Sequence, residues 1–469
     1  MNSSLSRRDV VWGYAAQLLN IAAGLILLPI IVRFLTQDEV GLWFVFLALA
    51  SLAQLLEFGF LPTITRNAAY IYAGAQELHP EGLKPVDKQG DINYKLLTDL
   101  FAAARHIYLY VAIAAALVMF GAGTFYIYSL LPSGYEVNAA IAGWVTFSAG
   151  YVLNFYFGYY NGMLQGRGDI TLSNKVIVTS RLVMVLLGAI LLIKGYGLLG
   201  LGVASFVSAI AGRFLAYRYF FTAHRPETAQ LSKRTGDAKT LIWVLWHNAS
   251  RFGLVNLGAF LIARANLLIA SSLLGLGVAG SYGMSLQLLL SLAGVASMFA
   301  HLQLPRMNAL QAHGKLDSLR GTYGLTVLSS WFMYALGATV LLTMGPATLE
   351  LIGSNTTLLN PVILTCLVVI VALEMNHSIG AAYLTTLNYI PFVGAALWSG
   401  VAIIIVGYIL VTQTSLGLWG LIIAQGVVQA SYNNWKWPKE ASKHLGCGFP
   451  ALLRFGLIEM KAIINAKAH

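Results

Sequence analysis

Charged side chains inside otherwise apolar stretches are the residues of this sequence that could carry chemistry. Arg264 stands in the run Phe260–Leu268, ten residues before Leu274, which is about 15 Å along a helix. Glu57 and Glu374 lie deep in two other apolar stretches. A charge at the centre of a bilayer costs roughly 2.5–3.5 kcal/mol, so such a group usually faces a cavity or a partner. Arg264 is therefore either a cation that lines an anion-binding cavity, which we favour because deep acids are few, or one half of a buried salt bridge. Glu57 and Glu374 predict ion coupling or charge pairing, and both roles stay open.

Three further arginines are candidates for binding an anion. Arg66 and Arg306 each follow a Leu-Pro pair, and Arg251 lies near the start of a long apolar run. A guanidinium donates two parallel hydrogen bonds to a phosphate, so these groups could clamp a pyrophosphate. The alternative is that Arg66 and Arg306 snorkel at helix ends and that Arg251 is a topogenic charge.

Uncharged polar side chains within or beside the apolar stretches could contact a sugar or join helices, and the second use is the more common. These side chains are Gln17, Asn20, Asn154, Tyr159, Asn161 and Asn256. His247, His301 and His377 are scattered without ligand spacing, so we assign no metal and no cofactor. No nucleophile–base motif is present, and the sequence does not predict an enzyme.

The elements that position these residues must be membrane helices. Apolar residues make up 58% of the 469 residues and charged residues only 10%, with a mean hydropathy of +0.72. A soluble domain has roughly 25% charged residues, so this chain lacks the polar surface that a soluble fold needs. An all-α polytopic membrane protein with about 12 transmembrane helices is expected. Its apolar runs lie near 10–35, 41–62, 106–131, 139–163, 173–193, 198–221, 242–274, 278–303, 322–345, 358–384, 389–412 and 416–437.

The polar break at 222–240 divides these runs into two sets of six. We expect an N-terminal six-helix bundle over 1–221, a cytoplasmic linker over 222–240 and a C-terminal six-helix bundle over 241–437. Weak repeats support two equivalent halves, because a Leu-Pro pair precedes both Arg66 and Arg306. Two such halves around a central substrate site are a common transporter plan.

The remaining residues, 438–469, are expected to form a cytoplasmic tail. Its segment Ala451–Ile464 is too short to span a bilayer. Apolar side chains alternate there with Arg454, Glu459 and Lys461, which predicts an amphipathic helix on the inner membrane surface.

The basic residues predict the orientation of the chain. The formal net charge is +11. If the N-terminus is cytoplasmic, 25 of the 29 basic residues lie on the cytoplasmic side, only Arg33 and Lys194 lie on the other side, and Arg251 and Arg264 fall within the seventh span. The positive-inside rule thus places both termini in the cytoplasm and explains the charge without nucleic acid as a partner. Cys366 and Cys447 are too far apart in sequence to indicate a disulfide framework or a metal site.

The first 70 residues resemble the start of a known family. The segments are Val32–Leu35, Val40–Trp43 and Leu56–Asn67. They are similar to the bacterial O-antigen (Wzx-type) flippases, the polysaccharide transporters of the multidrug/oligosaccharidyl-lipid/polysaccharide (MOP) exporter superfamily. The resemblance extends to the twelve spans, the two halves and Leu164–Gly166 after the fourth span.

The resemblance implies a V-shaped bundle with a central cationic cavity in the bacterial cytoplasmic (inner) membrane. Its members move undecaprenyl-pyrophosphate-linked oligosaccharide, such as the O-antigen repeat unit of lipopolysaccharide, to the periplasmic leaflet by alternating access. It implies that Arg66 matches a second-span arginine that binds pyrophosphate and that Arg264 is the cavity arginine. The first span departs from the related lipid II flippases, because it offers Gln17 and Asn20 instead of an arginine. This departure favours a different head group.

Further partners implied are membrane lipids, H+ or Na+ as a coupling ion, and other polysaccharide-assembly proteins. Two alternatives remain for the function. The first is an ion-coupled multidrug or small-molecule exporter of the same superfamily, although its cationic drugs would favour an acidic cavity. The second is a membrane polymerase or glycosyltransferase, which is disfavoured by short outward loops and the missing catalytic residues.

Overall fold

The apolar runs form α-helices, and the described residues contain no β-strand. The computed structural model describes residues 7–78, 91–132, 137–223, 228–229, 231, 239–387 and 391–468. The helices of the first half are α1 Arg7–Phe34, α2 Gln37–Gln54, α3 Phe60–Tyr72, α4 Tyr94–Ala116, α5 Thr124–Leu130, α6 Val137–Tyr156, α7 Tyr159–Arg167, α8 Ile170–Ile193 and α9 Gly197–Ala223. The remaining helices are α10 Lys239–Ala263, α11 Ala265–Leu273, α12 Leu276–Ala312, α13 Leu316–Leu351, α14 Pro361–Thr385, α15 Val393–Gln413, α16 Leu418–Ser431, α17 Asn433–His444 and α18 Phe449–Ala468.

Local sequence signals set several helix ends. At the start of α2, the amide of Thr36 donates to the carboxylate of Glu39 at 2.8 Å, and the hydroxyl of Thr36 accepts from the amide of Glu39. This reciprocal capping satisfies two amides that the first turn leaves unpaired. At the start of α14, Asn360 caps the helix and Pro361 occupies its first position, where a missing N–H costs nothing. These signals place the helix ends in the short loops.

The expected all-α polytopic fold is confirmed, with a difference in the number of long spans. Ten described helical segments are long and apolar enough to cross a membrane. The predicted spans 139–163 and 416–437 are interrupted instead. α6 ends at Tyr156 before α7 begins, and α16 is 14 residues long because Tyr432 leaves the helical conformation. Hydropathy counts apolar residues and does not detect such a break.

The described helices pack into two units, Met1–Leu257 and Gly258–His469. The division falls within α10, whereas the sequence analysis places the boundary in the segment 222–240. Most of that segment lies outside the described residues. Within the first unit, α6 and α9 cross at glycines, since a Cβ atom on Gly202 would lie 2.4 Å from the carbonyl oxygen of Gly143. Small residues allow this close approach of two helix backbones.

The tail helix is longer than the sequence predicts. α18 spans 20 residues instead of the 14 residues of Ala451–Ile464 and extends beyond that segment at both ends. Its apolar face packs on α13, where Leu452 is buried and the backbones of Gly456 and Gly324 meet. An ion pair of 3.1 Å joins Arg306 on α12 to Glu459. Location at the membrane surface stays a prediction.

Candidate functional site

Glu57 lies in a polar cluster at the end of α2. A single 3-10 turn, Leu55–Glu57, follows α2, and the helix is then interrupted at Phe58 and Gly59, both with positive φ, before α3 begins at Phe60. The hydroxyl of Tyr108 on α4 donates to Glu57 Oε1 at 2.6 Å, and Gln54 donates to Oε2. A carboxylate that accepts two hydrogen bonds is held in one orientation. The cluster is therefore a preorganised acidic group inside the first unit.

Arg213 of α9 supplies a positive charge close to this cluster. Its Nε donates to Asn154 Oδ1 at 2.8 Å and its Nη1 to the carbonyl oxygen of Phe157 at 3.5 Å. Both acceptors flank the break between α6 and α7. Asn154 therefore positions Arg213 on α9, and the role of Glu57 stays a prediction.

A second guanidinium contacts a polar side chain of α1. Arg181, near the middle of α8, donates to Asn20 Oδ1 on α1 from Nη2 at 2.7 Å and from Nε at 3.1 Å. Arg181, Asn20 and Gln17 are all exposed on the unit. A forked pair of donors on a single oxygen fixes the guanidinium against α1. The N-terminal unit thus presents a cation beside the two amides that the sequence analysis singled out.

Arg264 occupies the break between α10 and α11. Its backbone departs from the helix at φ −126° and ψ −25°. Its guanidinium is half-buried and faces Gln287 of α12, with Nη2 3.4 Å from Gln287 Oε1, while Gln287 Nε2 donates to Ser291. Discontinuous helices at mid-membrane are typical of substrate and ion sites in transporters. Arg264 therefore lies where such a site is expected.

Glu374 ends a chain of hydrogen bonds inside the second unit. Asn266 Nδ2 on α11 donates to Gln425 Oε1 at 3.2 Å, and Gln425 Nε2 on α16 donates to Glu374 Oε1 at 2.8 Å. Asn266 and Gln425 are buried. The chain connects three helices, because each buried amide needs a partner. It leaves the second carboxylate oxygen, Oε2, without a hydrogen-bond partner among the described residues.

The other predicted residues lie apart from these clusters. Arg66 and Asn256 are exposed on α3 and α10, and Arg306 is exposed and paired with Glu459. The side chain of Arg251 lies outside the described part of the chain. Tyr159 and Asn161 are buried, and burial favours helix contact over sugar contact as their role.

Sequence reasoning missed Arg181 and Arg213. Both are among the 25 basic residues assigned to the cytoplasmic side, although they fall within the apolar runs 173–193 and 198–221, and the structure places them inside α8 and α9. Their position within those runs was the signal that could have identified them. Among the described residues, no group of three or more His, Cys, Asp or Glu side chains could hold a metal ion.

Comparison with solved structures identifies the fold. A multidrug resistance MATE family transporter of the MOP superfamily, solved in an inward-facing conformation, is similar with a TM-score of 0.69 and 15% identity, over 93% of this chain and 99% of that chain. An outward-facing structure of a multidrug resistance MATE family transporter has a TM-score of 0.56 and 16% identity, over 95% and 94%. A MATE structure in the bent conformation has a TM-score of 0.53 and 16% identity, over 99% and 96%. No protein-family model matches the sequence, and a search of curated proteins gives no match either.

The chain therefore has the fold of MATE transporters of the MOP superfamily, in a multi-pass membrane protein. Its neighbours are transporters, and the resemblance inferred from the sequence is confirmed at the level of this superfamily fold. The polysaccharide-flippase subtype is taken up below.

Proposed function

We propose that this protein is an alternating-access exporter of an amphiphilic cargo. The supporting observation is the fold, which is similar over more than nine-tenths of the chain to transporters solved in inward-facing and outward-facing conformations. Alternating access needs discontinuous helices and polar groups inside the bundle, and the breaks at Arg264 and at Phe157–Gly158 are of this kind. The bacterial inner membrane, with both termini in the cytoplasm, is the location that the positive-inside rule favours.

The structural comparisons best support small molecules as the cargo, with export coupled to an ion gradient. The similar transporters are described as multidrug resistance proteins. Glu57 and Glu374 are the acidic groups that a coupling cation or proton would use, and each is already hydrogen-bonded inside its own unit.

Transport of undecaprenyl-pyrophosphate-linked oligosaccharide is the second candidate, and the deep arginines favour it. Arg181 is exposed on its unit and Arg264 is half-buried, whereas the carboxylate of Glu57 already accepts hydrogen bonds from Tyr108 and Gln54. Coulomb attraction to a pyrophosphate is stronger at the low dielectric of the membrane than in water. Sugar contacts would come from exposed amides such as Asn20 and Gln17, and other polysaccharide-assembly proteins would be partners.

The distribution of lipid-linked oligosaccharide across the membrane distinguishes the two cargoes. If the cargo is the undecaprenyl-linked oligosaccharide, deletion of this gene in the native host should make it accumulate in the cytoplasmic leaflet, and a plasmid copy should relieve the accumulation. Efflux of a cationic dye is measured in the same strains. Dye efflux that depends on the gene, without any oligosaccharide accumulation, would establish drug export and exclude the flippase. If neither the oligosaccharide accumulation nor the dye efflux depends on the gene, the proposal that this protein is an exporter is wrong.

Substitution of the acidic residues tests ion coupling. Glu374→Gln is expected to abolish gradient-driven accumulation in proteoliposomes while equilibration of cargo persists, because the neutral amide can still accept from Gln425 but cannot bind a cation or carry a proton. Glu57→Gln is the matched variant in the other unit, where Tyr108 keeps its acceptor. The measurement is cargo accumulation under an imposed H+ or Na+ gradient. Undiminished accumulation in both variants would remove these carboxylates from coupling.

A further inference from the structure

A separate pocket lies beside α17, outside the residues discussed for transport. It has a volume of about 470 Å³ and is lined by one face of α17, by Asn376 of α14 and by the turn Cys447–Phe449 before α18. Ligand pockets typically enclose about 300–1,000 Å³. All of its lining belongs to the second unit, so its shape is defined within that unit.

The polar groups of the pocket are hydrogen-bond donors. Asn376 and Asn434 are 8% and 9% exposed. The carboxamide oxygen of Asn376 accepts from Trp331 at 3.0 Å, and that of Asn434 lies 2.9 Å from His377 Nδ1. Both oxygens are thus in use, and neither Nδ2 has a hydrogen-bond partner among the described residues. Two nearly buried NH2 groups remain available on the pocket wall, and an anion would satisfy them.

Two ammonium groups add positive charge to the same wall. Lys439 and Lys443 line the pocket one turn apart, and Lys439 Nζ lies 5.6 Å from the ring centre of Trp435. The lining contains no acidic residue. Glu440, on the same helix, lies 3.4 Å from Lys436. The pocket is therefore positively charged without an internal counter-ion, which favours a phosphate group.

The rest of the lining is apolar, and this decides the class of ligand. Trp435, Pro438 and Phe449 line the pocket beside the donors. The first residue of α17 in the lining, Asn434, follows the end of α16 at Ser431 by three residues, and Trp and Lys, both present in the lining, are residue types that anchor helices at a membrane interface. A free phosphate gains nothing from apolar walls, whereas a phospholipid buries its glycerol and upper acyl carbons there.

We propose that this pocket binds the headgroup of an anionic phospholipid, with Lys439, Lys443 and the amides of Asn376 and Asn434 contacting the phosphate. Basic pockets beside membrane helices bind such headgroups, at about 1 kcal/mol for each Lys. The pocket lies apart from the residues discussed for cargo, so this proposal applies whether the protein exports drugs or lipid-linked oligosaccharide.

Cys447 provides a reporter inside the pocket. In a Cys366→Ala background it is the remaining thiol, and we would follow its maleimide labelling on the full chain. We expect labelling to be slower in phosphatidylcholine nanodiscs that contain phosphatidylglycerol than in phosphatidylcholine alone. Lys439→Gln with Lys443→Gln is expected to abolish the difference, since the loss of two lysines weakens binding about 30-fold. Lys461→Gln, at an exposed position of α18 outside the lining, is the matched control and keeps the protection.

Native mass spectrometry supplies a second readout that does not depend on labelling. Phosphatidylglycerol is expected to remain bound to the Cys366→Ala protein and to be lost from the double lysine variant, whose melting temperature in phosphatidylcholine reports that it is folded. Equal labelling rates in the two membranes would overturn the proposal. Protection by inorganic phosphate alone, without any effect of phosphatidylglycerol, would also overturn it and identify a free-anion site.

Discussion

Arg264→Ala is expected to abolish transport of a pyrophosphate-bearing cargo, with a loss of about 100-fold, because removing one member of a desolvated charge pair costs roughly 2–5 kcal/mol. The guanidinium lies at the break between α10 and α11 and is oriented by Gln287. Removal of a charge from the membrane eases insertion, so a defect in export cannot be attributed to insertion. The measurement is the leaflet distribution of lipid-linked oligosaccharide.

Two variants accompany this test. Arg264→Lys keeps the charge but loses the planar pair of donors, so we expect intermediate transport. Arg454→Ala removes an exposed arginine of α18 and should leave transport unchanged. Full export by a correctly inserted Arg264→Ala protein would exclude this residue from cargo binding, and unchanged dye efflux would then support a cationic cargo.

Gly324→Ala is expected to give the largest loss of stability, because it separates α13 from the tail helix. A Cβ atom at this position would lie 2.0 Å from the carbonyl oxygen of Leu452 and 2.8 Å from the amide nitrogen of Gly456. Both are backbone atoms, so a rotamer change cannot relieve the overlap. Overpacking costs about 1–3 kcal/mol or more, and we expect a clearly lower melting temperature in detergent together with faster proteolysis of α18.

Gly321→Ala is the matched control, one turn earlier on the same face of α13. The nearest atom to its Cβ would be Glu459 Oε2 at 3.2 Å, the end of a flexible side chain that can move. Its melting temperature should stay near that of the wild type. The same melting temperature for both variants would show that the Gly324 crossing does not determine the docking of α18.

The sequence predicted where the helices lie better than it predicted where they are interrupted. Hydrophobic length is a local property, because each membrane helix satisfies its own backbone hydrogen bonds. For that reason the apolar runs were located correctly as helices, and Arg264, Glu57 and Glu374 stood out as charges in apolar surroundings. The breaks at Tyr156 and Tyr432 were missed because such breaks depend on packing with neighbouring helices and not on hydropathy.

The sequence by itself determined that this chain is a polytopic helical protein with charged residues deep in the apolar runs of both halves, since composition and the spacing of apolar runs follow directly from the residues. Only the tertiary structure decided what those charges contact. It paired Arg181 with Asn20, oriented Arg213 by Asn154 near Glu57, and linked Glu374 through Gln425 to Asn266. These partners lie between 51 and 161 residues apart in sequence, and which helix faces meet depends on the packing of small residues across the whole bundle.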